Sequence, residues 1–203
     1  MQTVLRQLGL VDYESVWREM QAFTLERDKE TVDEIWIVEH NPVYTLGLSA
    51  KREHLLNTEN RIRVIETDRG GQVTYHGHGQ LVIYPLLDVD RLNISVRQIV
   101  TILENAMIAT LSQYGIKSKA KADAPGVYIN NKKIGSVGLR IKKGCCYHGL
   151  SLNNNMDLSP FDHINTCGFP SLEVTQLADL NVNIKTYELA VPIVHHILQA
   201  IKQ

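Results

Sequence analysis

Cys167 is the residue of this chain whose surroundings best fit a nucleophile. It lies in Asn165-Thr-Cys-Gly168, between polar turn residues, and the glycine after it leaves room for an approaching substrate. A cysteine at a loop tip can be reactive because the thiolate is the attacking form and needs access. Free thiols are only about 3% thiolate at pH 7, so a nearby cation would help. Several lysines and arginines are available for that role.

A glycine-rich segment is the second feature that could do chemistry. Residues 69–79 contain four glycines and two histidines, and they run into the apolar residues 81–84. Glycine allows the backbone to approach a ligand closely or to adopt positive φ. We therefore interpret residues 69–79 as a loop before a strand, with main-chain N–H groups facing a bound molecule. A tight structural turn, with His76 as a buried core residue, is the alternative.

The other two cysteines, Cys145 and Cys146, are adjacent. We expect one to pack inward and the other to point outward. A zinc site formed by these two with His148 and Cys167 is disfavoured, because zinc-binding cysteines are usually spaced two to four residues apart.

Composition restricts the class of protein. With 203 residues, 44% of them hydrophobic and 21% charged, the chain fits a single globular domain over residues 1–203. The net charge of −1 argues against a general nucleic-acid binder. No apolar run reaches the length of a membrane span, and no signal-peptide core opens the chain. Three cysteines do not form a disulfide framework, so we expect a cytoplasmic protein in a reducing compartment.

Basic residues are concentrated in one stretch. Residues 117–143 carry eight lysines and arginines and a single acid, Asp123. This stretch is either an ordinary solvated face or a dock for an acidic partner.

Periodicity and capping signals predict three helices. The first follows Asp12 as N-cap, with Val16, Met20 and Phe23 on one face. The second begins with a Ser95–Gln98 capping box and ends at Gly115; its inner face carries Ile99, Ile102, Leu103, Ala106 and Leu111. The third is C-terminal, with Pro192 near its first turn and Val194, Ile197, Leu198 and Ile201 inside.

Strands are predicted at 4–8, 34–40, 63–67, 81–87, 126–129, 133–141 and 148–152, and 43–47 is a loop or short strand. Asn130-Asn131 reads as a hairpin turn. Strands outnumber helices and several are joined by hairpins. This pattern favours an α+β fold, a mixed and largely antiparallel sheet with helices packed on it.

The motifs together resemble the lipoyl(octanoyl) transferase family over residues 4–177. The matching segments are Arg69 to Gln80, Pro125-Gly-Val-Tyr, Lys133-Ile-Gly-Ser-Val-Gly-Leu-Arg, His148-Gly-Leu and Asn165-Thr-Cys-Gly. Two positions depart from the usual family pattern: His78 and Thr166 each stand where proline is common. Losing proline loosens a turn in the unfolded chain but removes no reacting group.

The resemblance implies a biotin/lipoate protein ligase-like catalytic domain and assigns its site. Cys167 matches the acyl-carrying cysteine and Lys133 the lysine that activates it. The residues implied to contact the acyl substrate are Arg69, Gly70, Gly71, Gln72, Val73, Thr74, Tyr75 and His76 from the glycine-rich segment, together with Ser136, Val137, Gly138, Gly149, Leu150 and Ser151.

The implied activity is octanoyl transfer, the first step of endogenous lipoate cofactor synthesis. The donor would be octanoyl-acyl carrier protein. The acceptors would be lysines in lipoyl domains of 2-oxoacid dehydrogenase E2 subunits and in the glycine cleavage H protein. We expect a monomer that needs no cofactor or metal and binds neither nucleic acid nor membrane. The alternatives are an ATP-dependent lipoate–protein ligase and a non-catalytic acyl-binding module.

Overall fold

A computed structural model describes residues 2–56, 61–170 and 172–202. Its helices are α1 (Tyr13–Glu26), α2 (Val96–Gln113) and α3 (Thr186–Ala200). Its strands are β1 (Thr3–Val11), β2 (Asp33–His40), β3 (Val43–Leu46), β4 (Arg63–Glu66), β5 (Val73–His76), β6 (Gln80–Leu86), β7 (Lys119–Ala120), β8 (Gly126–Ile129), β9 (Lys132–Lys142) and β10 (Cys145–Asn153).

The strands form one large sheet and one small one. The large sheet has the order β1-β2-β6-β10-β9-β8-β7 and is antiparallel except between β1 and β2. The small sheet has the order β4-β3-β5. The predicted α+β class, with a mixed and largely antiparallel sheet and packed helices, is confirmed.

The helices cover opposite faces of the large sheet. α2 and α3 pack on one face in a core that includes Ile83, Cys146 and Leu150. α1 packs on the other face against a second cluster that contains Trp36 and Tyr147. Side chains of successive strand residues point to opposite faces, so both faces of the central strands are buried.

The predicted helix caps are confirmed. Asp12 accepts from the Ser15 backbone N–H, and Ser95 and Gln98 form the reciprocal capping box of α2. Asn130 and Asn131 both have positive φ, as the hairpin between β8 and β9 requires.

Two local predictions were wrong. Pro192 lies inside α3, not in its first turn, because the helix begins six residues earlier at Thr186. Because proline lacks an N–H, the Glu188 carbonyl has no helical hydrogen-bond donor. Glu188 is exposed, so a water molecule can donate to this carbonyl instead. The glycine-rich segment is also not a continuous loop, since Val73–His76 forms β5 against β3.

The expectation for the adjacent cysteines was wrong as well. Cys145 and Cys146 are both buried, at 4% and 0% exposure. They point to opposite faces of β10, and each face is covered at that point. Burial raises the pKa of both thiols, that of Cys146 to about 12. Neither has the exposure or the thiolate character of a reactive cysteine.

Candidate active site

Cys167 occupies a strained turn. It is the middle residue of a short 3-10 turn, Thr166–Gly168, and has a φ of 57°. Side-chain-bearing residues seldom adopt this left-handed region, and such strain concentrates at functional sites. Gly168 follows with a φ of 77°. The thiol is free and partly exposed, which is the accessibility a nucleophile needs.

The Lys133 ammonium contacts this thiol. Lys133 lies near the start of β9 and is only 2% exposed. Its Nζ donates to Cys167 Sγ at 2.9 Å and to the Pro125 carbonyl at 2.8 Å. The Tyr128 ring lies beneath the same ammonium, 5.3 Å away. The arrangement brings a cation and a proton carrier to the sulfur, 34 residues distant in sequence.

Glu104 and Gly126 hold the turn that positions the lysine. The Glu104 carboxylate on α2 accepts from the Gly126 backbone N–H at 2.7 Å. Gly126 has a φ of 132°, and a Cβ there would lie 2.6 Å from the Lys133 side-chain Cε. Burial raises the pKa of Glu104, against the opposing effects of that N–H and the Lys133 charge. The Pro125 carbonyl is thereby fixed where the ammonium needs an acceptor.

Two cavities meet at Cys167. The inner cavity has a volume of about 60 Å³ and extends beneath the glycine-rich segment. The outer groove lies on the Lys133 side, between Phe169 and Val96. The residues common to both are Gly70, Gly71, Gln72, Val137, Gly138 and Cys167. The thiol therefore faces a chamber on one side and an open approach on the other.

The structure brings the predicted lining residues together around the inner cavity, with one exception. Residues 69–74, His76, 136–138 and 149–151 all line it. Tyr75 does not, because its side chain points to the other face of β5. There it packs against Tyr44 and Phe161. Its predicted contact with the acyl substrate thus has no support in this geometry.

The Arg69 side chain holds the glycine-rich segment in place. Its buried guanidinium donates to the side chain and carbonyl of Thr45 and to the carbonyls of Gly70 and Gln72. Gly47 must be glycine, because a Cβ there would lie 2.4 Å from the Gly71 carbonyl oxygen. The Arg69 guanidinium thus fixes the glycine-rich segment above the cavity, because several carbonyl groups accept hydrogen bonds from this one side chain.

Sequence reasoning missed Asp68, and it named His148 in a motif without counting it among the residues that line the cavity. The Asp68 carboxylate accepts from Trp17, Gln21, Tyr147 and His148, and these hydrogen bonds lower its pKa despite the opposing effect of burial. His148 lines the inner cavity with a φ of 59°, which turns its ring out of the strand alternation. An aspartate just before the glycine-rich segment gave no recognisable signal, because its partners come from two elements distant in sequence, α1 and β10.

Burial keeps the histidines of this region uncharged. It lowers the pKa of His40 to about 4 and that of His76 to about 3, and it also lowers the pKa of His148 against the attraction of Asp68. His40 shares a hydrogen bond with the Tyr84 hydroxyl at 2.7 Å, and His76 shares one with Gln80. The cavity wall thus contains neutral imidazoles at pH 7.

These histidines predict acid sensitivity. In the unfolded chain they bind protons near pH 6.5, whereas the folded state resists protonation until about pH 4 or below. We expect the free energy of unfolding to be intact above pH 6.5 and to fall by several kcal/mol as the pH drops towards 4. Urea titrations across that range measure it. His76→Gln should give a shallower pH profile, while the exposed His78→Gln should match the parent. A parent profile that stays flat to pH 4 contradicts the prediction.

Two further features bear on the class of site. Among the described residues, no group of three or more His, Cys, Asp or Glu side chains is placed to hold a metal ion. In the same part of the chain, no helix combines the length and apolar character needed to cross a membrane.

Comparison with known proteins places this chain in a family. The family model of the lipoyl protein ligase A/B catalytic domain matches residues 12–198. An octanoyltransferase of Aliivibrio fischeri is 56% identical over 185 residues, which cover 91% of this chain and 82% of the relative.

Solved structures share the fold. The putative lipoate protein ligase Ta0514 of T. acidophilum, with bound lipoic acid, aligns with a TM-score of 0.83 at 14% identity, covering 100% of this chain and 87% of that one. Biotin protein ligase from Aquifex aeolicus, with biotin and ATP, aligns with a TM-score of 0.65 at 15% identity, covering 98% and 70% of the two chains. The expected biotin/lipoate protein ligase-like fold is confirmed.

Proposed function

The chain belongs to the lipoyl protein ligase A/B catalytic domain family, and we propose that it is an octanoyltransferase of lipoate synthesis that works through a thioester on Cys167. The activity rests on the curated octanoyltransferases, which match at 51–58% identity over most of the chain. The observation that carries the thioester mechanism is the 2.9 Å contact between the Lys133 ammonium and the Cys167 sulfur.

The first half-reaction exchanges one thioester for another. The Cys167 thiolate attacks the carbonyl carbon of the octanoyl thioester on the donor, and the carrier's sulfur leaves. Lys133 passes to that sulfur the proton that the Cys167 thiol gave up, so the carrier departs as a free thiol. Since a thioester replaces a thioester, no ATP is consumed.

The second half-reaction forms an amide. The acceptor lysine must first lose a proton, because a free lysine has a pKa of about 10.4. Its neutral amine then attacks the carbonyl carbon of the Cys167 thioester and the C–S bond breaks. Lys133 takes the proton that the attacking nitrogen gives up and passes it to the departing sulfur. An amide is more stable than a thioester, which drives the cycle. The acceptors are lipoyl domains, and the site is filled by donor and acceptor in turn.

The ATP-dependent ligase is the competing function, because solved ligases share the fold. That likeness is at 14–15% identity and concerns the fold alone. An adenylate mechanism does not require a cysteine held against a lysine. The test is octanoyl transfer to a lipoyl domain from octanoyl-acyl carrier protein without nucleotide, compared with octanoate plus ATP. Transfer only in the second reaction would overturn the proposal.

The basic residues at 117–143 divide into separate groups on the surface. Lys119 lies on the edge strand β7, opposite Tyr128, and the Lys121 ammonium lies 4.3 Å from the centre of the same ring. Lys132 is paired with Glu173 at 2.6 Å. Lys142 lies at the far end of β9, roughly 30 Å along the strand from Lys133. Besides Lys133 itself, the basic residues next to Tyr128 of the site are Lys119 on β7 and Lys121 just after it.

We expect an acidic carrier protein to dock against Lys119 and Lys121. Reversing both charges with Lys119→Glu and Lys121→Glu should raise KM for the octanoyl carrier protein roughly five- to tenfold at low salt, with little change in kcat. Lys142→Glu with Lys143→Glu is the matched control. Equal effects of the two double variants, or a KM that does not change with salt, would count against this docking site.

A further inference from the structure

Two rows of residues run across the sheet beneath the inner cavity. On β9 and β10 the residues facing the cavity are small, and the register pairs them directly. β6 continues both rows with bulky side chains, since Ser151 lies opposite Val82. One row is Ser136–Ser151–Val82. In the other, Gly138 pairs with Gly149, and Tyr84 lies two residues beyond Val82 on the same face of β6.

Ser136 and Ser151, the small residues of the first row, line the inner cavity and keep its floor low. The glycines of the second row are covered by neighbouring backbone, since a Cβ at Gly149 would collide with the Ile83 carbonyl oxygen and one at Gly138 would lie 3.1 Å from the Gly70 carbonyl oxygen. Cys167 lies above the β9 end of the floor, because its partner Lys133 belongs to β9. A chain attached to the sulfur has its free path across β9 and β10 towards β6.

Bulky, braced side chains stop this path at β6. Val82 and Tyr84 are 1% and 3% exposed and belong to the cluster packed beneath α1. The Tyr84 hydroxyl shares a 2.7 Å hydrogen bond with His40 Nε2, which fixes the ring. Tyr13 of α1 lines the cavity beside them and stacks on His76. Side chains held in this way do not move aside for a longer ligand.

The span of the floor matches a medium-length chain. β9 and β6 are separated by two strand spacings, about 9.5 Å in total. An extended chain of eight carbons has seven C–C bonds of about 1.5 Å, and its zigzag spans roughly 9 Å. The distance across β9 and β10 to β6 thus corresponds to the length of an extended octanoyl group.

We propose that Val82 and Tyr84 form the end wall of the inner cavity and set the upper limit of acyl-chain length. This inference rests on the proposed acyl-thioester function. Each buried methylene favours binding by about 0.8 kcal/mol, or roughly fourfold, only while space for it remains. A carbon added to a chain that already reaches β6 collides with Val82 or Tyr84, so a longer chain binds less favourably.

The experiment measures acyl-enzyme formation on Cys167 by intact mass, using carrier protein loaded with chains of six, eight, ten and twelve carbons. Val82→Ala and Tyr84→Leu shorten the wall. In each we expect the ratio of the ten-carbon to the eight-carbon rate to rise about tenfold above the parent's. A ratio within one variant is independent of any loss of folded protein, since both substrates meet the same enzyme.

Two further variants test whether size is the cause. Tyr84→Phe removes the same hydrogen bond to His40 as Tyr84→Leu but keeps the ring, so its chain-length ratio should remain within twofold of the parent's. Ser151→Val fills the middle of a row and should shift preference from eight carbons to six. If the parent acylates Cys167 but Val82→Ala and Tyr84→Leu leave the ratio unchanged, the wall is refuted. If the parent forms no adduct with any chain, the proposed function itself fails.

Discussion

Replacing Cys167 by serine should abolish octanoyl transfer, with kcat lowered by at least about 10³-fold. A serine hydroxyl is a far weaker nucleophile than a thiolate, and Lys133 has no means to ionise it at pH 7. Incubation with octanoyl-acyl carrier protein should add one octanoyl group to the parent and none to Cys167→Ser, as read by intact mass. The partly exposed position of the thiol makes alkylation by iodoacetamide a second measurement of the same group.

The matched control for this variant is Cys145→Ser. Cys145 is buried on β10, and burial raises its pKa, so it has no part in the reaction. The Cys145→Ser variant should retain octanoyl transfer and still gain one octanoyl group, as read by intact mass. An adduct that persists in Cys167→Ser, or that appears at Cys145, would contradict the assignment of the nucleophile.

Replacing Lys133 by methionine should lower kcat by roughly 10²- to 10³-fold, because the proton carrier of both half-reactions is lost. Methionine matches the length of the lysine stem, and both the Pro125 carbonyl and the Cys167 sulfur lose the Nζ donor. Removing one partner of a buried pair can also destabilise the fold, so a urea unfolding curve of the variant separates a loss of stability from a loss of catalysis. KM for the carrier should change little, since Lys133 lies beneath the surface.

Lys132→Met is the control for Lys133→Met. Lys132 is the preceding residue, but it is exposed and paired with Glu173, so its loss should leave kcat within about twofold. The rate of Cys167 alkylation by iodoacetamide at pH 7 reports the thiolate directly. It should fall in Lys133→Met and remain at the parent level in Lys132→Met. Equal alkylation rates in the two variants would remove Lys133 from the proposed mechanism.

Much of the fold was predictable because its signals are local. The Asp12 cap, the Ser95–Gln98 capping box and the Asn130-Asn131 hairpin each depend on a few consecutive residues, and each is present in the structure. Pro192 was misplaced because helix starts without a capping side chain leave no clear mark; Lys185 caps α3 without a side-chain hydrogen bond. β5 was overlooked because four β-prone residues between glycines read equally well as loop.

The candidate site was predictable only in part. The motifs selected Cys167, Lys133 and the lining segments. They did not show that Tyr75 points away from the cavity, since that depends on which side of β5 the small sheet packs. They missed Asp68, which joins α1 to β10. They included His148 but did not place its ring at the cavity, because its φ of 59° reverses its side in β10.

The amino-acid sequence by itself determined the reacting groups, the local elements and the small residues that leave space for a ligand. Tertiary structure alone decided how they meet. It placed an ammonium 2.9 Å from a sulfur 34 residues away and aligned small residues of β9 and β10 with the bulky ones of β6. Caps and turns depend on neighbours in the chain, whereas a site depends on distances that arise only when separate strands pair and pack.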